Sequence, residues 1–185
     1  MQRRSQRQNL KDIRNGRTEA REAAVCRNYR SIYRFIVYLT SDVSVAEDLT
    51  QEVFVSAWEN IDRYKGRASL GTWLHRIAYH KFIDSKRNSE RRIALKDKLK
   101  KGVHNTPETF NPLYRVMADE RSRFLYEAMQ KLESPEYVLI VLHYIQGLSF
   151  REMTKVLDEP TGTVKWRTSK ALKKLKHILT GRVEQ

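Results

Sequence analysis

LSFREMTKVLDEPTGTVKWRTSKALKKLKHIL, residues 148–179, carries the clearest structural signature in this chain of 185 residues. Ser149 and Glu152 have the spacing of a capping box, in which both side chains bind backbone N–H groups at the start of a helix. That helix is interrupted at residues 158–160, and a second helix is expected from Thr161. Two helices joined by a tight turn predict a helix-turn-helix, whose second helix enters the major groove of DNA.

The second helix of this motif is basic and amphipathic. Residues 161–182 contain seven Lys or Arg and no Asp or Glu. The spacing predicts that Val164, Ala171, Leu172 and Leu175 face a core. A basic helix of an ordinary bundle is the alternative, but here the cap, the turn and the basic run coincide. The side chains left for DNA, where cations suit guanine edges and phosphates, are Lys165, Trp166, Arg167, Ser169 and Lys170.

The composition favours an all-α, nucleic-acid-binding protein. The formal net charge is +14, with 36 Lys and Arg against 22 Asp and Glu, and such a field attracts polyanions. Seven Gly, four Pro and few β-branched runs favour helices over strands. A single cysteine, Cys26, and five scattered His predict neither an internal disulfide nor a metal site. No secretory signal or membrane-spanning run is recognisable, so a cytoplasmic protein is expected.

A second informative surface is acidic. Residues 42–62 contain six acids and no Lys or Arg, and Ser44 with Glu47 predicts a capping box there. Most acidic helix faces are merely solvated. This face also carries apolar side chains, which favours docking on a basic protein surface. One side of the helical wheel holds Asp48, Gln51, Glu52, Val55 and Glu59, flanked by Phe54 and Trp58.

A third surface is predicted in TWLHRIAYHKFIDSKR, residues 72–87. If Leu74 and Ala78 face the core, Tyr79 points away from it with Arg76 alongside. Basic residues continue through Lys86, Arg87, Arg91 and Arg92. Aromatic rings beside cations hold unpaired bases, each stack being worth about 1–3 kcal/mol. We therefore expect a single-strand-binding surface.

The pattern along the chain predicts two small helical domains. A basic tail spans residues 1–18, and the first domain spans residues 19–95. Residues 96–119 contain Gly102, Pro107 and Pro112 without sustained periodicity, which predicts an extended linker. The second domain, residues 120–185, contains the helix-turn-helix.

Three segments, AEDLTQEVFVSAW, GTWLHRIAYHKFID and GLSFREMTKVLDEPTGTVKWRTSKAL, resemble the extracytoplasmic-function group of bacterial sigma factors. These are the minimal initiation factors of the sigma-70 type. The resemblance covers about residues 20–95 and 120–180. It implies a protein that is not an enzyme, that needs no cofactor, and that supplies RNA polymerase with promoter contacts.

The resemblance also implies roles for individual residues. Docking on the β′ clamp helices of core RNA polymerase falls to Asp48, Gln51, Glu52, Phe54, Val55 and Trp58. Capture of the −10 element as a single strand falls to Lys65, Arg67, Ser69, Trp73, Arg76, Tyr79, His80 and Lys81, continued by Lys86 and Arg87. Duplex reading of the −35 element falls to Arg151, Thr161, Thr163, Lys165, Trp166, Arg167, Ser169 and Lys170. The β flap and an anti-sigma protein are further implied partners.

Five positions depart from the family pattern: His80, Arg151, Asp158, Glu159 and Trp166. His80 stands where Asn is common, and Trp166 stands where a small residue is common, so base preference at both is expected to differ. Asp158 replaces the usual Gly of the turn, but Asp tolerates left-handed geometry. Two other classes remain open from the residues alone: a stand-alone helix-turn-helix regulator and a pure interaction protein. A sigma factor needs core polymerase to bind a promoter, whereas neither alternative class does, so this requirement distinguishes it from both.

Overall fold

The computed structural model describes residues 11–13, 15, 17–99 and 120–183. The remainder of the predicted tail and residues 100–119 of the predicted linker lie outside this part. The expected all-α class is confirmed, since the described residues form helices and turns without a strand. The helices are α1 (Thr18–Thr40), α2 (Val43–Glu59), α3 (Leu70–Leu99), α4 (Glu120–Gln130), α5 (Ser134–Ile140), α6 (Phe150–Leu157) and α7 (Thr161–Val183).

Helices α1 to α3 pack together as the first unit. Asp42 caps α2 by accepting the backbone N–H of Val45 at 3.1 Å. The predicted Ser44 box is therefore wrong, because the helix begins at Val43 with Asp42 as its N-cap, and Ser44 lies inside the first turn. Helix α3 runs to Leu99, past the predicted boundary at residue 95, because its sequence holds no Gly or Pro between Gly71 in its first turn and Gly102.

Helices α4 to α7 form the second unit. The predicted capping box is confirmed, since the backbone N–H of Glu152 lies 3.3 Å from the Ser149 hydroxyl and that of Ser149 donates to Glu152 at 3.0 Å. Asp158 ends α6 with a φ of 58°, the left-handed geometry expected of it. A short turn through Pro160 then starts α7. Among the described helices, none has the length and apolarity required to cross a membrane.

The two units share one continuous apolar core. It includes Phe35 and Leu74 of the first unit and Leu139, Met153 and Val164 of the second, none more than 1% exposed. Helix α3 packs directly against α6. The second unit therefore lies on the first instead of standing apart from it.

His75 is a buried titratable group beside this contact, 4% exposed. Its Nδ1 lies 2.8 Å from the carbonyl oxygen of Gly71, and its ring packs on Phe35 with centroids 5.1 Å apart. Burial lowers the pKa of His75, and the Gly71 carbonyl, the Gln146 side chain and the Glu152 carboxylate oppose this only in part. The ring is therefore neutral in the folded chain at pH 7.

We expect the melting temperature to fall as the pH drops from about 7 to about 5, because unfolding lets His75 bind a proton at its ordinary pKa of about 6.5. The contribution of the neutral His75 ring to the free energy of unfolding is complete above that pH. Below it the contribution is lost, by at most about 1.4 kcal/mol per pH unit for one proton. The His75→Phe variant keeps a ring on Phe35 but cannot titrate, so calorimetry should show that its melting temperature depends less on pH. Parallel curves for the two proteins would contradict this role.

Candidate nucleic-acid interface

The acidic face of α2 forms an open groove of about 460 Å³. The opposite side of α2 is apolar and packs into the core through Ala46, Leu49 and Val53, each at most 5% exposed. Val55 is 56% exposed on the side away from these residues. An exposed Val among acids supplies apolar contact area for a partner. The lining of this acidic groove is Asp48, Gln51, Glu52, Val55, Ser56, Glu59 and Lys81.

Two aromatic residues predicted for docking lie in less accessible positions. Phe54 is buried and stacks on Tyr29, with ring centroids 6.0 Å apart, while Trp58 is half-buried. Phe54 cannot offer its ring to a partner, because helix α1 already covers it. The prediction that Phe54 flanks an open docking face is therefore wrong.

A basic pocket of about 400 Å³ lies at the start of α3. The rings of Tyr64 and Trp73 stack in its wall, with centroids 5.0 Å apart. The Tyr64 hydroxyl donates to the Ala68 carbonyl at 2.6 Å and so holds the loop before α3 in place. Ser69 accepts the backbone N–H of Thr72 at 3.0 Å and caps the helix. The lining is Arg63, Tyr64, Lys65, Arg67, Ala68, Thr72, Trp73, Arg76 and Lys155.

The basic pocket brings together several residues predicted for the −10 element. Lys65, Arg67, Trp73 and Arg76 line it, and Ser69 caps the adjoining helix turn. The sequence prediction did not include Arg63 and Tyr64. A cation beside an aromatic ring, the pattern that indicated base binding in residues 72–87, is present here too. The prediction also did not include Lys155, which comes from α6 and reaches the pocket only through packing of the two units.

Other predicted −10 residues lie outside the pocket. Tyr79 is half-buried in the contact with the second unit, so the expectation of a free ring is wrong in this arrangement. Burial raises the pKa of Tyr79, Glu159 adds to the rise, and Arg167 and Arg87 oppose it. Lys81 lies in the acidic groove, where its Nζ is 3.0 Å from Glu52. Exposed positions further along α3 are held by His80, Lys86 and Arg87.

Helix α7 presents the predicted duplex-reading side chains. Val164, Ala171 and Leu175 are buried as expected, but Leu172 is 42% exposed and its predicted core position is wrong. Trp166 is 64% exposed. The Nζ of Lys170 lies 5.5 Å from its ring centroid. Exposed residues of the predicted −35 set are Arg151, Thr161, Thr163, Lys165, Trp166, Ser169 and Lys170.

Arg167 differs from its neighbours on α7. It is half-buried and forms an ion pair with Glu159 in the turn before the helix. A bound guanidinium is not free for a phosphate or a base unless this pair breaks. In the described part of the chain, no group of three or more metal-ligating side chains comes together.

Comparison with known proteins matches both units. The sequence pattern described as Sigma-70 region 2 matches residues 24–92, and that described as Sigma-70, region 4 matches residues 128–177. The ECF RNA polymerase sigma factor SigW of Bacillus subtilis is 29% identical over 176 residues, covering 92% of this chain and 94% of SigW. SigX of the same organism is 30% identical over 155 residues, covering 81% of this chain and 79% of SigX.

The fold has a counterpart among solved structures. The sigma factor RpoE of Bartonella quintana, in complex with the anti-sigma factor NepR, superposes with a TM-score of 0.69 at 22% identity, covering 86% of this chain and 96% of RpoE. Two sigma-70 regions in one chain, with similarity across most of two extracytoplasmic-function sigma factors, establish the family. This chain belongs to the extracytoplasmic-function group of the sigma-70 family, the alternative sigma factors of transcription initiation.

Proposed function

We propose that this sigma factor docks on core RNA polymerase through the acidic groove, and binds promoter DNA through the basic pocket and the exposed face of α7. The separation of charge between the two surfaces carries this assignment. Three carboxylates, those of Asp48, Glu52 and Glu59, line the groove. The basic pocket is lined by five cations and, among the described residues, by no acid. Phosphates are repelled by the first surface and attracted by the second.

In this proposal the first domain, residues 19–95, captures a single strand of the −10 element. The cations of the basic pocket hold phosphates, and the Tyr64–Trp73 stack supplies an aromatic wall for extruded bases. Opening of the duplex is favoured because unpaired bases gain stacking and ionic contacts that a closed duplex lacks. The protein promotes melting in this way without catalysis of its own.

The second domain, residues 120–185, reads the −35 element with α7 in the major groove. Lys165, Trp166, Ser169 and Lys170 form the base-reading set at the N-terminal half of the helix. Exposed lysines further along, such as Lys173 and Lys176, follow the phosphate backbone. Buried Val164 and Ala171 fix the rotation of the helix and thereby decide which side chains face the groove.

Further proposals concern the setting in which the protein acts. Transcription takes place where core polymerase and the chromosome are, so the chain acts in the cytoplasm. The β′ clamp helices and the β flap are its docking partners on polymerase, as the family resemblance implies. The fold similarity to RpoE, which was solved with NepR, supports an anti-sigma protein as a further partner.

Run-off transcription with purified core polymerase and genomic fragments tests the proposed function. We expect new start sites that appear only when both core enzyme and this chain are present, with protected sequence near −35 and −10. Sequence-specific DNA binding by the chain alone, without any new transcript, would instead support a stand-alone regulator. Phosphate contacts release counterions, so the affinity of the chain for DNA should fall as salt is added. An affinity that does not change with salt would contradict DNA as a partner.

A further inference from the structure

A short segment before α1 is folded onto the first unit. Residues 11–13 are helical, and Ile13 is only 3% exposed. The backbone N–H of Asn15 donates to the carbonyl oxygen of Lys11 at 2.8 Å, in the turn that leads into α1. From α1, the Nε of Arg21 donates to the carbonyl oxygen of Ile13 at 3.1 Å. Ile13 is therefore fixed both by burial of its side chain and by a hydrogen bond to its backbone.

The side chain of Ile13 belongs to a small apolar cluster, the loop cluster, beside the main core. None of its four buried members belongs to the core that the two units share. They come from three places: the segment before α1, α1 itself, and the loop between α2 and α3. Small clusters of this kind form under loops. The buried members are Ile13, Ala24, Ile61 and Tyr64, and the partly buried Ala20, Trp58, Leu70 and Trp73 pack against them.

The loop between α2 and α3 depends on the loop cluster for its position. Within residues 60–69 only Ile61 and Tyr64 are buried, and both belong to the cluster. A loop with few buried contacts opens locally at a small cost in free energy. Removal of a buried neighbour from the cluster should therefore loosen this loop before it disturbs the helices.

Tyr64 connects the loop cluster to the basic pocket. Its ring stacks on that of Trp73 in the pocket wall, with centroids 5.0 Å apart. Its hydroxyl donates to the carbonyl of Ala68 at 2.6 Å, so one side chain joins two points of the loop. Lys65 and Arg67, which line the pocket, lie between these two points in the chain. The positions of both cations therefore follow the position of Tyr64.

Ile13 lies outside the family pattern that the first unit matches. Sigma-70 region 2 matches from residue 24 onward, so the segment before α1 and the start of α1, with Arg21, precede it. The loop between α2 and α3 lies within the match. Support of this loop from residue 13 is thus a feature of the chain that membership of the family does not imply.

We propose that Ile13 is a positioning residue for strand capture: by completing the loop cluster, it holds the Tyr64 ring and the loop cations where the unpaired strand binds. An ordered loop binds a ligand more tightly than a mobile one, because less conformational entropy is lost on binding. Truncation of Ile13 leaves Lys65 and Arg67 in the chain but no longer fixed in place. The effect on DNA rests on the proposed function, whereas support of the loop by Ile13 rests on packing alone.

Hydrogen exchange of the full chain tests the support of the loop. Ile13→Ala leaves a cavity in the loop cluster. The amides of Arg63 and Tyr64, which donate to loop carbonyls at 2.9 and 3.1 Å, should then exchange at least tenfold faster. Leu132→Ala, at a similarly buried site of the second unit, is the matched control and should leave these two amides unchanged.

Unchanged exchange at Arg63 and Tyr64 in Ile13→Ala, or an equal rise throughout the first unit, would overturn the proposal. Should Ile13→Ala fail to fold, Ile13→Val replaces it in this measurement, because it removes only one methyl group. A smaller rise confined to the same two amides is then expected, and its absence would count against Ile13 in the same way.

Single-strand affinity tests the consequence for promoter DNA. In complex with core polymerase, Ile13→Ala should bind a single-stranded −10 oligonucleotide from a mapped promoter at least tenfold more weakly. Affinity for a −35 duplex should be kept, because that duplex contacts α7, whereas a merely destabilised protein would lose both affinities alike. Ile13→Leu, which conserves the apolar volume, should restore most of the single-strand affinity.

Two results would contradict this consequence: equal losses on both DNAs, or no loss on the single strand. If the unaltered chain with core polymerase does not bind the oligonucleotide, the proposed function fails instead. Hydrogen exchange in the free chain then still decides whether Ile13 supports the loop.

Discussion

Glu52→Lys is expected to lower the affinity of this sigma factor for core RNA polymerase by at least about tenfold, or about 1.4 kcal/mol. Glu52 lies in the acidic groove with 55% of its side chain exposed, and it pairs with Lys81 at 3.0 Å. The substitution removes one carboxylate and sets two ammonium groups side by side. The formal charge of the groove, which holds three acids and one Lys, rises from −2 to neutral. A basic partner surface then loses most of its electrostatic attraction.

The matched control is Glu47→Lys, on the same helix and with the same change of charge. Glu47 is exposed outside the groove, on the side of Tyr33, whose pKa is raised by burial and by this carboxylate. Glu and Lys have similar helix propensities, so neither variant should alter the fold. Fluorescence anisotropy against core polymerase over a range of salt gives both affinities. Equal losses for the two variants would show a long-range effect of charge and would remove the groove as the docking site.

Local signals in the sequence predicted a large share of this structure correctly. The Ser149–Glu152 capping box and the left-handed Asp158 each depend on a few adjacent residues, and each is present. The inward positions of Val164, Ala171 and Leu175 follow from a repeat of three to four residues along one helix. Such features are fixed by chain neighbours, so the sequence alone contains what is needed to predict them.

The sequence predictions failed where two possible caps lie close together, or where a helix distant in sequence determines whether a side chain is exposed. Ser44 had the right spacing for a cap, but Asp42 lies two residues earlier and caps the helix there, by accepting the backbone N–H of Val45. Phe54 falls beside the acidic face on a helical wheel, yet the ring of Tyr29 on α1 covers it. A wheel drawn for one helix indicates which side faces its own core and says nothing of a second helix on the other side.

The same limit applies to the predicted DNA-binding residues of α3. The periodicity places Tyr79 and Arg76 away from the core of the first unit, and it contains no information that the second unit packs against them. Lys81 belongs to a basic run in the sequence, but its position on α3 brings it to Glu52 on α2. Charge counted along the chain therefore overstates the cations available to DNA.

Trp166→Ala is expected to reduce promoter binding by the holoenzyme about tenfold or more, because a lost base contact is worth about 1–3 kcal/mol. An indole that is 64% exposed contributes little to the core, so the loss should appear in DNA recognition and not in stability. The ring also holds Lys170 by a cation–π contact, with Nζ 5.5 Å from the centroid, and so orients a second DNA-facing group. Filter binding on a mapped promoter and on a copy with a scrambled −35 element measures the effect.

Discrimination between those two DNAs separates a reading role from general attraction. Trp166→Ala should lower affinity for the promoter and leave the scrambled copy almost unchanged, because the indole carries no charge. Lys173→Ala, exposed on the same helix, should weaken both DNAs alike and reduce the salt dependence by about one counterion. Leu172→Ala, which trims another exposed apolar side chain of α7, controls for loss of surface area. If Trp166→Ala weakened both DNAs equally, the indole would act on the phosphate backbone through Lys170, and base reading would fall to the remaining side chains of α7.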